Sequence, residues 1–533
     1  MIPRPELLRD LSSSFELTAS PTVSGDLVAS VRTALAGLDP LPGDSGEIDV
    51  RRDAGLGEEA YRLTVGSRGV EIVAGGPAGA FYAAQSLRQL LPPAAYRFSS
   101  GASWPVRGVR IEDAPRFAWR GLHLDVARHF FPKREVLRLI DLMAVHKLNR
   151  LHLHLVDDQG WRVESRAYPL LHEVSSHRPR TAVNHYREPD AYDEVPHGGY
   201  YTLDDLAELA AYARSRHVTI VPEIDVPGHA SAILAAYPEF GATGEPHDVL
   251  DRWGISPAIL SPLPKTVEFL TAIFDELIGA LGETPYVHIG GDEVVLDRWA
   301  ASDEITAYRE SLGLGGVVEL QAWFLRRLAD VLAERGARAV VWDEAFVGGG
   351  LRQDTIVMPW RGMNVGRRAA AAGHDVVATP VFPLYFDYAE AGSPDEPMAI
   401  GDAITVADVA AFDPAPAGWS DEERARVIGV QAQLWTERVP DPRTVDYRMW
   451  PRACALAEVA WAGAAGAAGD DFDARLGEHL GRLDALGVEY RPAAGPHPWQ
   501  RRRPHRPSTV RVTEVMERID AMTHDAESTR PSL

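Results

Sequence analysis

Asp292 and Glu293 stand side by side in the stretch YVHIGGDEV, at the end of an apolar run. Tyr286 to Ile289 reads as a short buried strand. Gly290 and Gly291 follow, where the backbone can bend or bulge in ways a side chain would resist. Two adjacent carboxylates repel, so one holds its proton toward neutral pH while the other ionises. An acid beside an anion is the pairing that glycoside cleavage uses.

Such a pair needs a scaffold that aims it. From residue 107 to about 465 the chain repeats a strand and then a longer amphipathic stretch. The strand-like runs are GLHLDVAR, RLHLHLVD, VTIVPEID, YVHIGGDE, AVVWDE, TIVMPW, DVVATP and GVQAQLW. Helical runs such as KREVLRLIDLMAVHKL and VVELQAWFLRRLADVLAERG lie between them. Eight strands alternating with helices over this length predict an α/β chain with a (β/α)8 TIM barrel as its catalytic domain, over 107–465. An open doubly wound sheet is the alternative, but no GxGxxG or GxxxxGK[ST] follows a strand. Residues 1–106 mix short strands with the helical run AGAFYAAQSLRQLL and predict a small α+β N-terminal domain. Residues 466–533 predict a helical extension and a polar, partly flexible tail. Its RRRPHRP run reads as a solvated linker.

Barrel enzymes build their sites at the C-terminal ends of the strands. In order, those ends carry Arg128 and His129, Asp157 and Asp158, Glu223 and Asp225, then Asp292 and Glu293. Trp342 with Asp343 and Glu344, Trp360 with Arg361, and Trp435 with Glu437 come next. Aromatic faces and charged groups crowded at one end suit a carbohydrate, which offers apolar ring faces and hydroxyls.

Bulk properties narrow the alternatives. With 54 Lys and Arg against 76 Asp and Glu, the net charge is -22, which disfavours nucleic acid and anionic membranes. No run of about 18 apolar residues occurs, so no membrane-spanning helix is expected. One cysteine among 533 residues excludes an intrachain disulfide. Together with a charged start, MIPRPELLRDL, this leads to an expected cytoplasmic location. A leaderless form of a secreted protein is the other reading.

The segments LDVARHFF, LHLHLVDDQGWR, VPEIDVPGH, HIGGDE, LWTE and YRMWPRACALAEVAW resemble the family 20 glycoside hydrolases, the β-N-acetylhexosaminidases. The resemblance covers about 107–465, and QSLRQLLP is similar to the end of the small domain that precedes the barrel in that family. It implies exo-acting, retaining hydrolysis of terminal N-acetyl-β-D-hexosamines. The sugar's own 2-acetamido carbonyl attacks C1 in that chemistry, through an oxazolinium ion. By this resemblance Glu293 is the general acid and then the base, Asp292 orients the acetamido N–H, and Tyr385 hydrogen-bonds the acetamido oxygen. Trp342, Trp360 and Trp435 wall the pocket. Arg128 clamps the outer hydroxyls with Glu437, Asp387 reaches the 6-hydroxyl, and Asp157 and His229 support the acid. The implied partner is an oligosaccharide or glycoconjugate, with no cofactor and with association into a homo-oligomer left open.

Two other classes stay in view: a two-carboxylate retaining glycosidase acting on a sugar without the acetamido group, and a non-catalytic sugar-binding protein. A metal-dependent hydrolase is disfavoured, since neither HExxH nor paired CxxC is present. Strand parity is the second reason. If Asp157 enters the barrel mouth, His152 and His154 have the opposite parity and are expected to face the surrounding helices. The polar stretch over 172–201 is expected to form a flap or rim around that mouth.

Overall fold

The computed structural model describes residues 1–97, 103–185, 191–463 and 470–501. The N-terminal part is a seven-stranded sheet built from β1 (Leu7–Leu17), β2 (Thr22–Gly25), β3 (Leu41–Pro42), β4 (Ile48–Arg52), β5 (Tyr61–Gly66), β6 (Gly69–Ala74) and β7 (Trp104–Asp113). Their spatial order is β1-β7-β5-β6-β4-β2-β3. Alternate residues Tyr61, Leu63 and Val65 of β5 are buried with the helix Pro77–Leu90, whose Phe81, Tyr82 and Leu87 complete the core. That alternation is what a sheet with one covered face requires. Strand β7 crosses residue 106 and pairs with both β1 and β5.

The chain then enters a closed parallel barrel. Its first two strands are β8 (Trp119–Asp125) and β9 (Arg150–His154). Two short antiparallel pairs follow: β10 (Val156–Asp157) with β11 (Gly160–Trp161), and β12 (His177–Arg178) with β13 (His197–Gly198). The remaining six barrel strands are β14 (Thr219–Glu223), β15 (Tyr286–His288), β16 (Arg338–Trp342), β17 (Ile356–Met358), β18 (Val376–Ala378) and β19 (Val427–Ala432). Strand β19 pairs with β8 and closes the ring. All eight expected barrel strands are present. Helices such as Lys133–Val145, Pro264–Leu281 and Val317–Glu334 cover the outside with one apolar face each. Pro264 opens its helix, where the missing N–H is no loss.

The barrel interior is layered. Trp119, Val221, Val340, Ile356, Met358 and Val377 form an apolar plug, with Trp342 in the same cluster. Above it, at the C-terminal strand ends, the interior turns polar. His123, His152, His154, Glu223, His288 and Gln431 are all fully buried there. His152 and His154 therefore face inward, against the expectation that they pack under the helices. The parity rule failed because β9 ends at His154. Leu155 N–H then turns to the carbonyl of Glu223 (3.2 Å), and the β10–β11 pair folds Asp157 back over His154, so both side chains reach the mouth.

The N-terminal sheet is bolted to the bottom of the barrel. Buried Arg120 donates to both oxygens of Glu59, at 2.7 and 3.0 Å. Lys147 Nζ donates to Asp113 Oδ2 and to Tyr61 Oη, each at 2.8 Å. Trp461 Nε1 donates to Asp113 Oδ1 at 2.8 Å. The helix Asp470–Ala485 forms the expected extension. Its Arg475 pairs with buried Glu458 at 2.8 Å. The Arg/Pro-rich run beyond residue 501 lies outside the described residues. Among those residues, no helix is long and apolar enough to cross a membrane.

Candidate active site

Gly290 and Gly291 follow β15 with φ of +65° and +103°, and Glu293 itself has φ +50°. This turn throws Asp292 and Glu293 in different directions. Gly291 N–H donates to Asp225 Oδ1 (3.2 Å) and Gly291 C=O accepts from Gln321 Nε2 (3.0 Å), so the turn is held on both sides. Asp292 is buried. Glu293 keeps a third of its side chain open to the mouth.

The two carboxyls have different company. Glu293 Oε2 lies 3.6 Å from His229 Nε2. His229 Nδ1 lies 3.3 Å from Asp157 Oδ1 and 3.4 Å from Asp158 Oδ2. Asp157 continues the chain, with Oδ2 at 2.6 Å from Arg128 Nη2 and 3.0 Å from His154 Nε2. A line of alternating charge thus runs from Arg128 to Glu293. Burial works against the imidazolium of His229, but Asp157 outweighs it and holds this ring well above the usual histidine range. Asp157 sits well below the usual carboxylate range, because Arg128 and His229 overcome its burial.

Burial raises Glu293, with His229 pulling the other way. Burial and the neighbouring Asp225 raise Asp292 well above an ordinary aspartate, and burial lifts Asp225 to about 7. Burial and the Asp292 charge also push the Tyr385 phenol up, so it stays a neutral donor. Glu293 therefore keeps its proton to higher pH than an ordinary glutamate, with a line of buried charged groups behind it.

The walls are aromatic. Trp435 lies centrally: its ring centroid is 6.0 Å from Trp342, 6.2 Å from Tyr385 and 4.5 Å from His123. The Arg128 guanidinium lies 5.0 Å over the same ring, a stacked cation that stays fixed and charged. Trp342 Nε1 donates to Glu223 Oε1 and Trp360 Nε1 to Glu344 Oε2, both at 2.9 Å. Arg361 Nε is tied to Asp343 Oδ1 at 2.7 Å. On the far side Asp387 is buried, its Oδ1 unmatched in the described residues. Burial raises its carboxyl, and Glu437 raises it further. Glu437 is likewise raised by burial, with Arg128 opposing.

Of the eleven residues singled out in the sequence, Arg128, Asp157, His229, Asp292 and Glu293 are joined by ion-pair contacts. Trp342, Trp435 and Tyr385 are joined by ring contacts, with Trp360 packed beside them. Asp387 and Glu437 act on each other and on this group through their charges. Arg128 also makes the structural pairs that its neighbours offered: Nη1 donates to Asp125 Oδ2 (3.2 Å) and Nε to Gln159 Oε1 (3.0 Å). These bonds aim the guanidinium and leave its stacked face over Trp435.

Sequence reasoning assigned no role to the layer under the hollow. Glu223 is its centre. Its Oε2 receives His154 Nδ1 at 2.5 Å and faces His152 Nε2 at 3.0 Å, while Oε1 receives Trp342 and lies 2.8 Å from His288 Nδ1. Gln431 Nε2 donates to His152 Nδ1 at 3.0 Å, which leaves that ring's hydrogen on the Glu223 side. One carboxylate therefore fixes the pocket-floor tryptophan and, through His154, the Asp157 end of the proton line. The signal was in VPEID, where Glu223 ends an otherwise apolar strand. A buried acid there demands partners, and HxH is the nearest source.

The segment 172–201 does border the mouth where it is described. Phe130 N–H donates to His197 Nε2 (2.9 Å), Arg178 Nη1 to the carbonyl of Gln159 (3.2 Å), and His185 Nε2 lies 3.3 Å from the carbonyl of Ile400 on the opposite side.

Comparison with known proteins agrees with this geometry. Residues 117–464 match the model of the glycosyl hydrolase family 20 catalytic domain, and residues 1–114 match domain 2 of that family. The chain is 35% identical over 511 residues to a beta-hexosaminidase of Porphyromonas gingivalis, covering 92% of this chain and 64% of that protein's length. It is 33% identical to a beta-N-acetylhexosaminidase of Cellulomonas fimi, covering 92% and 95%. Among solved structures, a Vibrio harveyi exo beta-N-acetylglucosaminidase in complex with N-acetylglucosamine superposes with a TM-score of 0.81 at 32% identity, over 92% of this chain and 78% of that one. A Streptomyces plicatus N-acetyl-beta-hexosaminidase gives 0.79 at 31%, over 93% and 97%. With its barrel and preceding domain both matched end to end, the chain belongs to glycosyl hydrolase family 20.

Proposed function

We propose that this protein is an exo-acting, retaining β-N-acetylhexosaminidase that uses the substrate's acetamido group as its nucleophile. The observation that carries the reading is the division of labour in the dyad. His229, at the end of the Asp157 line, lies nearer Glu293 (3.6 Å) than Asp292 (3.9 Å), and Glu293 is the carboxyl that stays a third exposed. Asp292 is instead buried, close enough for its charge to act on Tyr385, whose ring lies 6.2 Å from Trp435.

In the first step Glu293 gives its proton to the glycosidic oxygen as the C1–O bond breaks. The acetamido carbonyl oxygen attacks C1 from the other face and closes the oxazolinium ring. The Asp292 carboxylate, disfavoured by burial before substrate binds, accepts the acetamido N–H and is stabilised as positive charge spreads onto that nitrogen, and Tyr385 donates to the carbonyl oxygen. Holding an internal nucleophile in line supplies effective molarities of about 10⁵–10⁸ M. In the second step the Glu293 carboxylate takes a proton from water as that water opens the ring at C1. Two inversions give retention.

Trp342, Trp360 and Trp435 grip the N-acetyl methyl and the ring face. Arg128, Glu437 and Asp387 hold the outer hydroxyls by charge-assisted bonds. Groups that engage those hydroxyls leave no room for a preceding sugar, which makes the action exo. The substrate is thus an oligosaccharide or glycoconjugate ending in N-acetylhexosamine.

A panel of aryl glycosides that vary at C2 and C4 tests this on wild type and Asp292→Asn. Turnover of the N-acetyl sugar, inhibition by a thiazoline mimic of the oxazoline, and a loss in Asp292→Asn confined to acetamido substrates are expected. Equal turnover of the plain glucoside, with a covalent sugar adduct on the protein by mass spectrometry, would replace the reading with the two-carboxylate one.

A further inference from the structure

The single cysteine of the chain lies in a second cluster of chemistry-bearing groups, outside the barrel interior. Cys454 is on the helix Arg452–Trp461, His146 ends the helix Lys133–Val145, and His479 is on the helix Asp470–Ala485. All three side chains are fully buried. His146 Nε2 is 2.9 Å from His479 Nε2 and 3.6 Å from Cys454 Sγ, and the three atoms lie within 4.8 Å of one another.

The hydrogens do not satisfy this arrangement. His146 Nδ1 lies 2.6 Å from the carbonyl of Leu142, which can only accept. Nδ1 therefore carries the hydrogen, and Nε2 of the neutral ring presents its lone pair to the cluster. That one lone pair is approached by two groups. If His479 donates to it from Nε2, the thiol has lost its acceptor. His479 Nδ1 is then a buried lone pair, and it has no hydrogen-bond partner among the described residues. If His479 carries its hydrogen on Nδ1 instead, two lone pairs face each other across 2.9 Å. A buried polar group without a partner costs about 1–3 kcal/mol.

A cation between the three atoms resolves both cases. We propose that His146, His479 and Cys454 form a binding site for a borderline-soft divalent cation of the zinc class. Zn–N bonds of about 2.0–2.1 Å and Zn–S bonds of about 2.3 Å in a tetrahedron place two nitrogens about 3.3 Å apart and nitrogen and sulfur about 3.6 Å apart. The His146–Cys454 edge already has that length, the imidazole edge opens by a few tenths of an ångström, and the His479–Cys454 edge, within 4.8 Å, closes onto the ion. The two rings meet at 76°, so their lone pairs converge rather than stack. Leu142 supplies the outer hydrogen bond that ligating imidazoles usually have. On binding, the Cys454 S–H bond breaks, its proton leaves to solvent, and the thiolate pair forms the S–Zn bond. His479 moves its hydrogen from Nε2 to Nδ1, with no net proton change. The ion would join three helices and hold the C-terminal one to the barrel.

The full-length chain expressed in zinc-supplemented medium and desalted under reducing conditions tests this by elemental analysis. One zinc per chain is expected, and Cys454→Ala and His479→Gln should each retain at least about tenfold less, the scale on which ligand-shell changes act. Chain loaded with cobalt should show a thiolate-to-cobalt charge-transfer band. Wild type without zinc or without that band would overturn the proposal however the variants fold. Zinc retained equally by Cys454→Ala, which would place the ion among the barrel imidazoles, would overturn it too. Neither readout uses glycosidase activity.

Discussion

The carboxylate of Asp225 occupies the space that a side chain at position 290 would need. A Cβ built on Gly290 falls 1.6 Å from Asp225 Oδ1 and 2.8 Å from the Asp225 Cα, so rotating the aspartate does not relieve it. The positive φ of Gly290 adds its own penalty for any other residue. Both restrictions act two residues before Asp292, so the turn that separates the dyad exists because position 290 has no side chain. Gly290→Ala should lower the melting temperature and, by shifting the dyad by an ångström or so, reduce kcat/KM by about 10²-fold or more. Thermal denaturation and aryl-glycoside kinetics on the same preparation check this. A variant with wild-type kcat/KM would show that the turn tolerates a Cβ.

Glu293 supplies a proton in one step and takes one in the next, so its loss depends on the leaving group. Glu293→Gln keeps shape and removes acidity. It should lower kcat by about 10²–10⁴-fold for a sugar or weakly acidic phenol aglycone. A dinitrophenyl glycoside leaves without a proton, so its cleavage should fall far less. A series of aryl glycosides of graded phenol pKa, read as log(kcat/KM) against that pKa, should be steeper for the variant than for wild type. Parallel lines would remove Glu293 from the acid role.

The pH profile tests the charge line behind Glu293. Activity needs the protonated acid, so it falls as pH rises through the Glu293 pKa. Burial raises that pKa and the His229 imidazolium opposes the rise. In His229→Asn the opposing charge is gone, the anion of Glu293 is less favoured, and the carboxyl keeps its proton to higher pH. The alkaline limb of kcat/KM should therefore move up, with a lower maximum because the orienting contact is lost. A limb that stays in place, or moves down, would show that His229 does not act on the acid electrostatically.

The barrel was legible because each strand is a short apolar run ended by polar residues, and all eight recur where the spacing put them. The mouth was legible for the same reason: strand ends must converge in a closed barrel. The inner layer was not. Reading His152 and His154 as outward-facing assumed a strand that runs straight to Asp157, whereas the chain leaves the ladder at Leu155 to pair β10 with β11. Parity says nothing across such a break. Glu223 went without a role because its partners are 69, 65 and 119 residues away, on β9, β15 and β16. Only the lateral pairing of β9, β14, β15 and β16 brings them together.

The junction between the two domains should depend on one lysine. Lys147 and Asp113 are both fully buried and meet at 2.8 Å, and Lys147 Nζ also donates to Tyr61 Oη on β5. Asp113 ends β7 of the N-terminal sheet, whereas Lys147 follows a barrel helix, so this pair spans the seam. Trp461 Nε1 binds the other oxygen of Asp113, and the Lys147 ammonium lies 4.3 Å over the same indole ring. Removing the cation alone strands a buried carboxylate. Breaking one partner of such a pair costs about 3–5 kcal/mol, although an apolar replacement of both can be close to neutral. Lys147→Met should therefore destabilise by about that amount in urea unfolding, and the loss should appear first in probes of the N-terminal sheet. Lys147→Met with Asp113→Leu should recover part of it, because no charge is left unpaired. If the double variant is worse than the single by the full cost of a second deletion, the two side chains act independently and the seam is held elsewhere.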